Sequence, residues 1–101
     1  MNYQFTDDAS EISIRISGEL NFSASNEFKA IIDKLAGAKG RPVTFDLANV
    51  TRIDSVGLGL LYIAKEELGG TCGKVHLKSP QGGVLKMLRL TEADADFDVQ
   101  S

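Results

Sequence analysis

The sequence predicts a small mixed α/β fold, and three observations support that prediction. The chain has 101 residues, which is the size of one domain built around a single core. Strand-like alternation and helix-like periodicity follow one another along it, which is typical of parallel strands joined by crossover helices. The strand patterns have one apolar and one polar face, so we expect a mixed β-sheet with helices packed mainly on one face. We predict one domain over residues 1–101 with the element order β-β-α-β-α-β-α-β.

The first two elements are predicted strands. Tyr3 and Phe5 alternate with polar residues in a short strand that we expect to end at Thr6-Asp7-Asp8. Isoleucines and polar residues alternate over residues 12–17, which is the period of a strand with one solvated face. We expect Gly18-Glu19 to end this second strand.

A helix is predicted next, because five apolar residues fall at helical spacing: Phe22, Phe28, Ile31, Ile32 and Leu35. Asn21 and Ser23 are its candidate N-caps, since their side chains can accept a hydrogen bond from the first turn. We expect Gly37 and Gly40 to end it.

The second half of the chain continues the alternation of strand and helix. Its predicted elements are a central strand at Val43–Leu47, a loop over residues 48–54, a helix from Ser55 to Leu68, a strand at 74–78, a helix around 84–90 and a short strand around 97–99.

Composition and charge exclude several classes of function. Eleven Lys and Arg against fourteen Asp and Glu give a net charge of −3, which provides no attraction for nucleic acid or an anionic membrane. One cysteine, Cys72, and one histidine, His76, exclude multi-cysteine and two-histidine metal sites. No apolar run approaches the about 20 residues of a membrane span, and the N-terminal residues lack the basic start of a signal peptide. We therefore expect a cytoplasmic protein with no cofactor, no metal and no direct membrane insertion.

The start of the second helix is the candidate functional site. Asp54 and Ser55 open this helix, where unpaired backbone N–H groups favour a side-chain oxygen. Gly57 and Gly59 lie in its first turns, although each costs about 1 kcal/mol relative to Ala. We infer that another backbone approaches the helix there and that Ser55 is left unshielded. The alternative is that Ser55 is a helix cap and nothing else.

Apolar residues also lie on more than one side of this helix. At about 100° per residue the predicted core face consists of Val56, Gly57, Leu60, Leu61, Ala64 and Leu68. Leu58, Tyr62 and Ile63 fall among or beside the charged residues of the opposite side. We interpret this side as a partner-binding surface with Ser55 at its rim. The alternative is that a neighbouring helix covers it.

Two segments resemble a known family. Phe45-Asp46-Leu47 followed by Ile53-Asp54-Ser55-Val56-Gly57-Leu58-Gly59-Leu60-Leu61 is similar to the signature of STAS domains, which occur in bacterial anti-sigma factor antagonists and in cytoplasmic tails of sulfate transporters. Ile16-Ser17-Gly18-Glu19-Leu20-Asn21 is similar to that family's strand-to-helix turn, where Asp is common at the position of Asn21. Element order and length agree over nearly the whole chain, so the resemblance implies an STAS-type fold.

The resemblance implies a partner-switching regulator of transcription or signal transduction, not an enzyme. In anti-sigma factor antagonists a serine at the position of Ser55 is phosphorylated by a partner kinase, often the anti-sigma factor itself, and a serine phosphatase removes the phosphate. The unphosphorylated form binds the anti-sigma factor or related serine kinase, and phosphorylation releases it. The implied phosphorylation site is Ser55, and the partner-binding residues are Asn21, Phe22, Ser23, Asp54, Ser55, Val56, Gly57, Leu58, Gly59 and Tyr62.

This chain departs from the family pattern at two of those positions. Val56 replaces the second serine or threonine that is common after the phosphorylated one. Asn21 in place of Asp removes one negative charge near the site. Both departures bear on which partner is bound.

Two alternatives belong to other classes of function. One is an STAS subunit of a membrane transport complex, of the phospholipid ABC system type, which docks on an ATPase. The other is a small enzyme, but a Ser-His-Asp site would need His76 beside Ser55, and the strand pattern points His76 away from the core. The acidic residues between Glu92 and Asp98 lack the glycine and final glutamate of a calcium loop.

Overall fold

Strands and helices alternate in the predicted order in the computed structural model, which describes residues 1–7, 10–35, 41–69 and 75–100. The elements are β1 (Asn2–Asp7), β2 (Ile12–Leu20), α1 (Ser25–Leu35), β3 (Val43–Ile53), α2 (Ser55–Gly69), β4 (Val75–Lys78), α3 (Gly82–Leu90) and β5 (Asp98–Gln100). Two short 3-10 helices, which were not predicted, span Phe22–Ala24 and Ala93–Ala95.

The strands form one mixed sheet in the order β1-β2-β3-β4-β5. The β1 strand runs antiparallel to β2, because a short connection joins them, and the other neighbours are parallel. On β2 the isoleucines Ile12, Ile14 and Ile16 are buried, whereas the residues between them are more exposed. This one-sided burial confirms the prediction of helices on one face of the sheet.

The core lies between that face and the helices. The Phe28 ring of α1 stacks on the Phe45 ring of β3, with centroids 5.5 Å apart. Leu61 and Leu68 of α2 and Leu88 of α3 are fully buried in the same cluster. The fold therefore holds α2 by the side of the helix that faces β3 and β4.

The predicted loop over residues 48–54 is wrong, because β3 continues without interruption to Ile53. Its outer half pairs with the end of β2, up to Leu20 opposite Ile53, so the backbone groups of these residues are satisfied by a ladder. The β2 strand likewise passes Gly18, which adopts a φ of +92°, and ends at Leu20. The β1 strand ends at Asp7, within the predicted end at Thr6-Asp7-Asp8.

The other predicted boundaries are close to the observed ones. The α2 helix begins at Ser55 as predicted, and α3 begins two residues earlier than the predicted apolar pattern. The predicted helix end at Gly37 and Gly40, together with Cys72, lies outside the described residues.

The residues that the structure describes contain neither a candidate membrane span nor a candidate metal site. No helix there combines the length and apolar character that crossing a membrane requires. No group of three or more His, Cys, Asp or Glu side chains converges there in a way that could hold a metal ion.

Candidate functional site

Asp54, not Ser55, caps the α2 helix. The Asp54 carboxylate accepts a hydrogen bond from the Gly57 N–H at 2.7 Å, and the Asp54 carbonyl accepts one from the Leu58 N–H at 2.9 Å. These are the contacts of an N-cap residue. Ser55 is the first helical residue and is exposed, and its hydroxyl makes no hydrogen bond with any residue in the described ranges. The interpretation of Ser55 as merely a cap is therefore wrong.

Gly57 lies where α2 meets the end of β2. A Cβ atom on Gly57 would overlap the carbonyl oxygen of Leu20 and lie 2.8 Å from its carbonyl carbon, distances that real Cβ atoms do not tolerate. The same carbonyl oxygen accepts a hydrogen bond from the Asp54 N–H at 3.4 Å. The predicted close backbone approach is confirmed at Gly57. Gly59 differs, because a Cβ atom there would meet nothing within 4 Å.

The turn after β2 is organised by Asn21. Its side-chain oxygen accepts a hydrogen bond from the Ser23 N–H at 3.0 Å and caps the first 3-10 helix. Its side-chain nitrogen donates to the Glu19 carboxylate, also at 3.0 Å. An aspartate could accept the first bond but could not donate the second. Although Asn21 is itself neutral, it holds the negative charge of Glu19 in this turn.

Phe22 is on the surface rather than in the helical core pattern. Its side chain is 75% exposed, and it lies in the 3-10 helix that precedes α1. This short helix packs against α2. The assignment of Phe22 to the buried face of the first helix is wrong, and its assignment to the partner-binding residues remains a prediction.

Four residues of α2 form an accessible stripe that runs from the helix start. They are Ser55, Val56, Gly59 and Ile63, which fall within about 100° of the helix circumference. Val56 and Ile63 are each 40% exposed, so the predicted burial of Val56 is wrong. We refer to these four residues as the α2 stripe. It combines one hydroxyl with apolar and small groups.

Leu58 and Tyr62 are covered by the protein itself, as the alternative interpretation proposed. Leu58 is buried in the core cluster. The half-buried Tyr62 ring packs on Phe97 with centroids 5.1 Å apart, and its hydroxyl donates to the Asp96 carboxylate at 2.6 Å. That hydrogen bond, with burial and the negative charge of Asp96, raises the pKa of Tyr62 to about 12. Leu58 is thus within the core, and the element in contact with Tyr62 is the C-terminal segment rather than a helix.

His76 lies on the face of the sheet opposite the core and has its own partners. Its Nδ1 atom lies 2.7 Å from the Asp98 carboxylate and 3.4 Å from the Gln100 amide nitrogen. In the sheet it is aligned with Thr44 and Asp98, on the face opposite the buried Val75 and Leu77. The structure therefore does not bring His76 and Ser55 together as a nucleophile and base.

The described part of the site combines a free hydroxyl with acidic and apolar groups. Its accessible groups are one unbonded hydroxyl at a helix N-terminus, two nearby acidic residues, Glu19 and Asp54, and the apolar groups of the α2 stripe. Glu19 was not predicted as a site residue, and Ile63 was predicted to lie on the partner surface without being named among the partner-binding residues. The available signals were an acidic residue two positions before a capping Asn and an apolar residue eight positions after Ser55.

Comparison with known proteins places this geometry in a family. The sequence profile of the STAS domain matches residues 1–101. A STAS-domain containing protein of Pseudomonas aeruginosa strain UCBPP-PA14 is 29% identical over 92 residues, which cover 91% of this chain and 90% of that protein.

Solved structures show the same fold at low sequence identity. An anti-sigma factor antagonist from Mycobacterium paratuberculosis superposes with a TM-score of 0.85 at 22% identity, covering 98% of this chain and 84% of that one. The Bacillus cell fate determinant SpoIIAA in its phosphorylated form superposes with a TM-score of 0.75 at 21% identity, covering 99% and 91%. The profile match extends over the whole sequence, and the chain belongs to the STAS domain family.

Proposed function

We propose that this chain is a single-domain, phosphorylation-controlled partner-switching regulator of the anti-sigma factor antagonist type, with Ser55 as the phosphate acceptor. The observation that carries the proposal is the free Ser55 hydroxyl, which is exposed because Asp54 has taken the capping role. The unphosphorylated form binds an anti-sigma factor or related serine kinase in the cytoplasm, phosphorylation releases it, and a serine phosphatase resets it. The chain is a substrate of these enzymes and not itself an enzyme.

Phosphorylation at Ser55 changes the surface without requiring a change of fold. A phosphate adds about −1.5 to −2 charges and three acceptor oxygens. The N-terminus of α2 tolerates that charge, because the helix dipole and the free N–H groups of the first turn favour an anion. A partner that buries Ser55 together with Val56 would have to desolvate the dianion next to the Asp54 carboxylate, and the affinity falls.

The predicted partner-binding residues divide into two groups in this proposal. The residues that are exposed or half-buried and can touch a partner are Asn21, Phe22, Ser23, Asp54, Ser55, Val56 and Gly59. Gly57, Leu58 and Tyr62 act indirectly, because they fix the position of α2 on the fold. The likeness to SpoIIAA, which has been solved in a phosphorylated form, supports this type of function.

The test is phosphate mapping on protein isolated from its own cells. We expect intact-mass spectrometry to show a species heavier by one phosphate and fragmentation to locate that phosphate on Ser55. The variant Ser55→Ala should lose this species. The matched control Thr51→Ala removes another exposed hydroxyl, from the outer half of β3 and outside the predicted partner-binding residues, and should keep it.

Two outcomes contradict the proposal. A phosphate that is still present in Ser55→Ala lies at another site. Complete absence of phosphate under all growth conditions rules out control by phosphorylation. A docking subunit of a membrane transport complex would show the second outcome and would bind its ATPase equally well with Ser55→Asp and the neutral Ser55→Asn.

A further inference from the structure

The two edges of the sheet are protected to very different degrees. The β5 edge has three residues and carries the charged Asp98. The β1 edge has six residues, Asn2–Asp7, and pairs with β2 over its whole length without a register shift. It contains no proline, glycine or lysine. Edge strands of native proteins are normally short, charged, bulged or covered, because their outward N–H and C=O groups are a template for another strand.

The single charge on β1 does not protect the edge either. Asp7 is its last residue, and its carboxylate lies 2.5 Å from the Arg41 guanidinium. This pairing compensates the charge within the chain and leaves residues 2–6 neutral. No side-chain charge within residues 2–6 therefore opposes the approach of a second β1 strand, and the Lys34 ammonium on the helix side lies over the Phe5 ring, 4.8 Å from its centroid.

The residues of β1 are also complementary to themselves in one antiparallel register. Tyr3 and Phe5 face the helix side, opposite Ile16 and Ile14 of β2, and the rings of these two aromatic residues are in edge contact at 5.7 Å. When two copies pair with Gln4 opposite Gln4, each Tyr3 lies across from the Phe5 of the other copy. Asn2 then lies across from Thr6, so polar residues face polar residues. A register shifted to centre on Phe5 would instead set Tyr3 against Asp7.

We propose that β1 is a self-association surface, through which a second copy of this chain adds antiparallel to form one continuous sheet with Gln4 at the two-fold axis. Such a two-fold axis is perpendicular to the sheet, so the helices of both copies lie on the same side. The α2 helix packs over β3 and β4, away from β1, and both α2 stripes stay accessible. The exposed edge of Tyr3, which is 41% accessible in one copy, is covered by the other.

Sedimentation velocity over a wide concentration range tests the proposal on the purified full chain. A pairing of one strand per copy buries a small interface, so we expect a reversible dimer with a micromolar dissociation constant. The variant Gln4→Glu places two carboxylates opposite each other at the axis and should weaken association at least tenfold. Its fold is preserved, because Gln4 is exposed on an edge strand, and Arg15, which is aligned with it on β2, already pairs with Asp46 and leaves the new carboxylates uncompensated.

Two further variants make the result specific to this edge. Gln4→Lys alone should also be monomeric, and an equimolar mixture of Gln4→Glu with Gln4→Lys should restore a one-to-one dimer. The control Gln100→Glu introduces the same charge on β5 and should leave dimerisation unchanged. A wild-type chain that stays monomeric into the millimolar range, or a dimer that Gln4→Glu does not weaken, overturns the proposal. Because no variant touches Ser55, these outcomes are independent of those for the phosphorylation switch.

Discussion

The α2 helix is held in two regions that differ in kind. Its first turn meets the end of β2 as backbone against backbone, at Gly57 and the Leu20 carbonyl. Its middle meets the C-terminal segment as side chain against side chain, where Tyr62 contacts Asp96 and Phe97. We call these the backbone contact and the tyrosine contact.

The difference explains why the proposed acceptor lies at one end of the helix and not the other. A side-chain contact can adjust through rotamers, whereas the backbone contact leaves no space for even one additional carbon atom. The backbone contact therefore fixes the start of α2, while Asp54 rather than Ser55 supplies the cap. Ser55 is presented on a rigid base and takes no part in holding it.

The largest expected effect comes from breaking the backbone contact. Gly57→Ala inserts a Cβ atom into the Leu20 carbonyl group, so α2 must move or β2 must bend. We expect a loss of about 2–4 kcal/mol in the free energy of unfolding, measured by urea denaturation. Gly59→Ala is the matched control on the same helix, because its Cβ atom meets nothing within 4 Å. It should stabilise the helix by about 0.5–1 kcal/mol.

Equal effects of Gly57→Ala and Gly59→Ala on stability would contradict the special role of the backbone contact. A destabilisation by Gly59→Ala as large as that by Gly57→Ala would show that helix glycines are required here for a reason other than close approach.

A smaller effect is expected from the tyrosine contact. Tyr62→Phe keeps the ring packing on Phe97 and removes the hydrogen bond to Asp96, whose carboxylate is exposed and regains water. We expect a loss of about 1 kcal/mol at neutral pH. Tyr3→Phe, at the exposed sheet edge, is the control and should change stability little. Thermal or urea unfolding of the three proteins measures both differences.

The tyrosine contact also predicts that the stability of the fold depends on pH in the alkaline range. The pKa of Tyr62 rises from 10.0 to about 12, so the folded chain holds the phenol proton more tightly than the unfolded chain does. The stabilisation is complete below about pH 10 and is lost as the pH rises through about 12. The difference between wild type and Tyr62→Phe should therefore shrink over that interval. A difference that stays constant with pH would assign the effect of Tyr62→Phe to packing.

The two contacts also differ in how far the sequence predicts them. Gly57 signals the backbone contact, because a glycine in a helix is costly unless another backbone requires it. Nothing local to Tyr62 signals the tyrosine contact, since Asp96 lies 34 residues away and follows a 3-10 helix without periodicity. The same reason explains the error at Leu58, which the tertiary fold buries although the helical wheel places it beside the charges.

The outer half of β3 was missed for a different physical reason. Its residues lose the apolar alternation after Leu47, since they pair with β2 alone and are largely exposed. The core strands and the start of α2 were predictable, because burial imposes periodicity on them. The length of a strand in a solvent-exposed part of the sheet depends on backbone pairing, which the side-chain periodicity does not indicate.

The smallest effect on stability is expected in the turn that follows Leu20, next to the backbone contact. Asn21→Asp keeps an oxygen for the Ser23 N–H, but it replaces a donor to Glu19 with a second carboxylate. Both groups reach solvent, so the repulsion is largely screened, and we expect a loss of about 0.5 kcal/mol at low salt that disappears at high salt.

Glu19→Gln in the Asn21→Asp background should restore stability, since an amide can again donate across the pair. If the loss is independent of salt, or if Glu19→Gln fails to restore stability, Asn21 acts through turn geometry alone. If the expected pattern is found, the turn beside Ser55 holds one carboxylate in this chain and not two, which limits the negative charge that a partner meets before phosphorylation.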